Sequence, residues 1–130
     1  MLSAYTTSWE EQTKAYAKAS SQGTGLKTVT SLNALSDIES DLSSLRESGR
    51  VTQGKPVIAP EVTALGWKKI PEATVTDCVD ISGWVLIDRK SKKEVPLPAE
   101  RRTKYVSTAK LERWGKKWMV TQLTAQDRGC

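Results

Sequence analysis

The chain changes texture at Arg50, and that change constrains its fold more than any other feature. Before it, apolar residues recur at helical spacing. Leu2, Tyr5, Trp9 and Tyr16 stand at i, i+3, i+7 and i+14, with Glu10, Glu11, Lys14 and Lys18 opposite them. The run "SSQGTG" at 20–25 carries two glycines and ends that helix. Leu26 to about Ser31 predicts one or two further turns. A second long helix follows, capped by Asn33 or Ser36, with Leu35, Ile38, Leu42 and Leu45 as its stripe and Gly49 as its C-cap. After Arg50 the segments "KPVIAPEVTALGW", "ATVTDCVDISGWVLID", "TKYVSTAKLERW" and "KWMVTQLTA" are rich in Val, Thr, Ile and aromatic residues with frequent alternation. "DRKSKKEVPLPAERR" reads as a long solvated hairpin connection. "WGKKW" reads as a tight hairpin turning on Gly115, Lys116 and Lys117 between two aromatic anchors. Helices first and strands after predict an α+β domain, its helices covering one face of a curled antiparallel sheet.

At 130 residues the chain is one domain, with helices over about 1–49 and the sheet over about 51–130. No apolar run approaches the roughly 18–20 residues that span a bilayer, and no signal-peptide pattern opens the sequence. Net charge is +5 and uneven. Residues 88–117 hold eleven Lys/Arg and four Asp/Glu, a local excess of +7. Such an excess either solvates a strand face or attracts a polyanion, with Arg101, Arg102 and Lys104 leading.

Two stretches carry a resemblance. "TDCVDISGW" and "ERRTKYVSTAKLERWGKKWMVTQLTAQDRGC" are similar to a pattern in small actinobacterial secreted proteins and lipoproteins. The matching residues are Asp77, Cys78, Asp80, Trp84, Arg101, Arg102, Gly115, Trp118, Val120, Thr121, Gly129 and Cys130. The N-terminal "AYTTSWEEQTKAYAKA" and "VTQGKPVIAPEVT" are similar as well. That family resembles in fold the nuclear-transport-factor-2-like superfamily, cone-shaped α+β domains whose helices pack in the concavity of a bent antiparallel sheet. The resemblance implies the cone but no single activity, because the superfamily hosts isomerases, dehydratases and extracytoplasmic modules of conjugation and secretion machinery.

Chemistry is sparse in the sequence. The chain has no histidine, which removes the commonest general base and metal ligand. Asp77 and Asp80 are the close acidic pair on a strand, but three residues apart they point to opposite faces. They are expected to serve turn and edge hydrogen bonds. No metal set, cofactor motif or phosphate loop is recognisable; "GTG" at 23–25 lacks a strand before it and a Gly-Lys-Ser/Thr after it. Among five tryptophans, Trp9, Trp67, Trp84 and Trp118 are expected in the core, and Trp114 beside the hairpin is expected exposed.

Cys78 and Cys130 are the only cysteines. An even count, one in a strand and one at the end of the sequence, predicts a disulfide and an oxidising compartment. Two free thiols in a cytosolic protein is the rival reading. Three functional readings follow: an extracytoplasmic, non-enzymatic binding or assembly domain tethered upstream by a lipid or membrane helix; a cone-fold enzyme with a histidine-free cavity; and a conjugation or secretion component. A protein partner or an anionic cell-envelope polymer suits the first. Specific nucleic-acid binding is not expected, and membrane contact only through an upstream anchor.

Overall fold

The computed structural model describes residues 1–130. Three helices, α1 (Leu2–Lys18), α2 (Leu26–Val29) and α3 (Leu32–Ser48), precede six strands. These are β1 (Arg50–Gly54), β2 (Glu61–Gly66), β3 (Glu72–Asp80), β4 (Trp84–Asp88), β5 (Lys104–Trp114) and β6 (Lys117–Ala125). The fold is α+β, with the N-terminal helices packed against curved antiparallel sheets in a cone-like arrangement. The main sheet runs β2-β3-β5-β6, and β1 pairs with β4 in a separate two-stranded ribbon.

Alternation decides which residues enter the core. Along β3, every second residue from Ala73 to Val79 is buried. Val75, Val79, Ala109, Leu111 and Val120 form the inner face, and Tyr5, Trp9 and Ala34 of the helices seat on it. Truncating a residue as enclosed as Leu111 to Ala would cost roughly 2–5 kcal/mol. A bulge between β5 and β6 shifts the register from Lys110↔Gln122 to Leu111↔Val120. The extra residue, Thr121, turns its hydroxyl onto the Lys110 carbonyl at 3.2 Å. Such bulges bend a sheet, and this one helps curl it around the helices.

Several expectations change in the folded chain. Leu2 is exposed at the first turn of α1, whose buried face is Tyr5, Ser8, Trp9, Gln12 and Ala15. The N-cap of α3 is Ser31, not Asn33 or Ser36. A tertiary bond decides this: the Ser31 N–H donates to the Val120 carbonyl at 2.9 Å, pinning the helix start to β6. Gly49 does cap α3 in the left-handed region, at φ 68°. Residues 88–102 do not join β4 to β5 as a hairpin. β5 has β3 on one side and β6 on the other, so β4 pairs with β1, and the segment turns back on β4 through an Ile87–Glu94 bridge before crossing to the main sheet. The final hairpin turns on two residues, Gly115 and Lys116, with Trp114 opposite Lys117. Trp67 is not core: it lies beyond the end of β2, 67% exposed, with the Arg113 guanidinium 5.6 Å from its ring centroid. Trp114 is exposed, as expected, and Trp118 is half-buried against the core.

Cys78 and Cys130 form a disulfide. The residues after β6 run back along β5, where the Val106 N–H donates to the Arg128 carbonyl at 3.0 Å. The bridge therefore ties this tail, rather than β6 itself, to β3.

Candidate functional site

α1 carries two tyrosine–aspartate pairs, and they define two different environments. At its first turns the Tyr5 hydroxyl donates to Asp77 Oδ2 at 2.6 Å, and the Ala59 N–H donates to Asp77 Oδ1 at 2.6 Å. Tyr5 and Asp77 are both fully buried. Burial first, then the bond to Asp77, pushes the Tyr5 phenol well above its ordinary pKa of 10.0. The Trp9 indole N–H leans toward the same phenol without closing a hydrogen bond of good geometry. Asp77 is thus not an edge or turn residue. It lies on a central strand, facing inward, and ties α1 and the 55–60 segment to the sheet. Asp80 points the other way, as expected of a residue three along, and its Oδ1 accepts the Ser82 N–H at 2.9 Å. The Ser82 side chain, and next this backbone bond, hold its carboxyl below the usual range.

Two turns further along α1, the helix borders a cavity of about 520 Å³, within the span of small-molecule sites. Trp9, Gln12 and Tyr16 come from one stripe of α1. Ala34, Asp37, Ile38, Asp41, Ser44 and Leu45 come from one face of α3, at i, i+3, i+4, i+7, i+10 and i+11. The ribbon supplies Thr52, Trp84 and Leu86; the main sheet supplies Tyr105, Ser107, Leu123 and Ala125.

Aromatic rings dominate its wall. Trp84 meets Trp9 edge-to-face with centroids 6.1 Å apart, and meets Tyr16 likewise at 5.2 Å. A close backbone approach places Trp84 there. Gly54, at φ 85°, lies opposite it across the ribbon, and a Cβ on Gly54 would come within 2.0 Å of the Gly83 carbonyl oxygen. The Tyr16 hydroxyl donates to Asp41 Oδ2 at 2.9 Å. Burial, and next the Asp41 charge, raise the Tyr16 phenol; burial, then Asp77, raises that of Tyr105. Trp84 Nε1 and Thr52 Oγ1 lie behind the wall, closed off from the cavity and without a protein partner.

None of Arg101, Arg102 and Lys104 reaches this cavity. They sit at the start of β5 and in the turn before it, beside the disulfide-tethered tail, where Arg102 approaches Asp127 at 3.8 Å. The sequence reading missed Tyr16 with Asp41, and Asp37, as site residues. A signal for them existed: Asp37 and Asp41 flank the apolar stripe of α3 four residues apart, and neither has a Lys or Arg three or four positions away.

Fold and cavity together define the class, a cone-like α+β domain whose helices and strands wall one concave site. The crystal structure of the intermembrane space region of chloroplast protein ARC6 is similar in fold, with TM-score 0.58 and 11% identity over 95% of this chain and 91% of that one. No protein-family model matches the chain, and no curated protein does.

Proposed function

We propose that this chain is an extracytoplasmic, non-enzymatic binding domain that takes its ligand in the aromatic cavity. The observation that carries the reading is that cavity, about 520 Å³ and walled by Trp9, Tyr16, Trp84 and Tyr105. The sealing of Tyr5 and Asp77 supports a binding rather than a catalytic role. The two groups are arranged as an acid–base pair, yet both are enclosed by protein, so no substrate atom comes within the hydrogen-bond reach that proton transfer requires. The disulfide supports an oxidising compartment, where such bridges persist. The resemblance of "TDCVDISGW" and the terminal segment to actinobacterial secreted proteins and lipoproteins supports a nuclear-transport-factor-2-like domain tethered upstream in the full-length protein.

A ligand-observed NMR screen tests the binding role. Hits are expected to lose their signal with Trp84→Ala and to keep it with Arg101→Glu. Hits indifferent to Trp84 overturn the assignment to this cavity. Free-thiol titration of the unfolded, unreduced protein from its native host tests the compartment. No titratable thiol is expected, and two per chain overturn an extracytoplasmic placement.

A second reading is favoured by one observation. Tyr16 and Asp41, unlike Tyr5 and Asp77, do line the cavity, which is where a histidine-free cone-fold enzyme would hold its acid and base. Turnover abolished by both Tyr16→Phe and Asp41→Asn would establish that reading instead. A role in conjugation or secretion machinery would show as a stable protein complex captured through the same face.

A further inference from the structure

The cavity stands out electrostatically from the rest of the molecule. The chain carries +5 overall, yet the wall includes no Lys or Arg, and its only charged side chains are Asp37 and Asp41. One turn apart on α3, these carboxylates face the same space as four aromatic rings. The Tyr16 hydroxyl bonds one Asp41 oxygen and leaves the carboxylate uncompensated by any cation.

We propose that the cavity binds an organic cation, a small molecule with a quaternary alkylammonium head. The assignment rests on the binding role argued above and adds the chemistry of the ligand. An anion would meet two carboxylates. A wholly apolar ligand would gain nothing from these two exposed carboxylates. A strongly hydrated inorganic cation would gain nothing from the rings. A quaternary ammonium satisfies both features, since ring faces attract it electrostatically and it asks for no hydrogen-bond acceptors of its own. The carboxylates then supply the net charge.

Choline and its uncharged isostere 3,3-dimethylbutan-1-ol test this directly, in amine-free phosphate buffer, by tryptophan fluorescence and by chemical-shift titration. Choline is expected to saturate, and the isostere to bind at least about tenfold more weakly. Asp41→Asn, which keeps size and shape, is expected to weaken choline about tenfold while moving the isostere less than about twofold. Trp84→Leu should weaken both. Arg101→Glu, outside the cavity, should change neither. Equal affinity for the two ligands overturns the cation assignment but leaves an apolar binding cavity standing. No saturable response to either at about 50 mM, where even a millimolar site fills, overturns this proposal. If the ligand screen likewise yields no cavity-dependent hit, the binding role falls with it.

Discussion

The two tyrosine–aspartate pairs of α1 use the same chemistry in opposite settings. Tyr5 and Asp77 meet at 2.6 Å where the helix root is sealed against β3, and a backbone N–H takes the second carboxylate oxygen. Tyr16 and Asp41 meet at 2.9 Å at the cavity wall, with solvent at hand. Residue type does not distinguish them; enclosure does. A buried hydrogen bond to a carboxylate is expensive to break because the abandoned partner cannot turn to water, whereas an accessible pair exchanges one partner for another at small cost. The sealed pair is therefore a structural clamp, and the accessible pair is free to answer a ligand.

The largest expected effect tests what else holds the sealed side together. Cys78 adjoins Asp77 on the opposite face of β3, and its bridge to Cys130 spans 52 residues. Replacing both cysteines by serine should lower stability by up to about 4 kcal/mol on the chain-entropy account. Urea denaturation measures it. Because the bridge lies on the outer face, ligand response in the cavity should survive the loss. If it does not, the two regions are not independent.

Next in size are the pairs themselves. Asp77→Ala strands the Tyr5 hydroxyl and the Ala59 N–H, and should cost about 3 kcal/mol; Tyr5→Phe should cost about 2 kcal/mol. Tyr16→Phe should cost less than about 0.5 kcal/mol, because water replaces the lost donor. Equal losses at Tyr5 and Tyr16, in the same denaturation assay, would erase the distinction between the two pairs.

Alkaline titration sharpens it further. The chain has three tyrosines, and the folded state raises all of them, each chiefly through burial. A raised folded pKa means the unfolded chain ionises first. Their contribution to stability is therefore complete below the ordinary value of 10.0 and is lost as pH climbs from there toward the folded values. Tyrosinate absorbance is expected to stay low at about pH 10, where free phenols are half ionised, and that of the enclosed Tyr5 to rise only with loss of the native circular dichroism. A separate early step belonging to Tyr16 would show that the cavity pair is open to hydroxide while the clamp remains closed.

The smallest expected effect lies on the basic surface. Arg101→Glu with Arg102→Glu should change stability by less than about 0.5 kcal/mol, as for most exposed substitutions. Any polyanion binding, read by heparin-column retention, should disappear with that variant and weaken steeply with salt. Retention unchanged by the double variant would leave the excess of charge at 88–117 as a solvated face.

Much of this molecule was legible before folding. The α1 and α3 stripes, the change to alternation after Arg50, the Gly49 cap and the opposite facing of Asp77 and Asp80 all follow from the local geometry of helix and strand. The pairing of Cys78 with Cys130 needed only their number and setting. These are properties of a segment and its own backbone, so the amino-acid order determines them directly.

What required the tertiary structure is which segment meets which. Tyr5 and Asp77 lie 72 positions apart, and nothing in either neighbourhood announces the other. β4 lies beside β1 because β5 is flanked by β3 and β6, so the expected hairpin connection over residues 88–102 does not join β4 to β5. Trp67 and Trp84 both sat in strand-like sequence, yet one lies on the surface and the other lines the cavity, where the ribbon, both long helices and the sheet converge. Periodicity reports the face a residue takes on its own element; burial depends on what other elements bring to that face, and only long-range packing decides that.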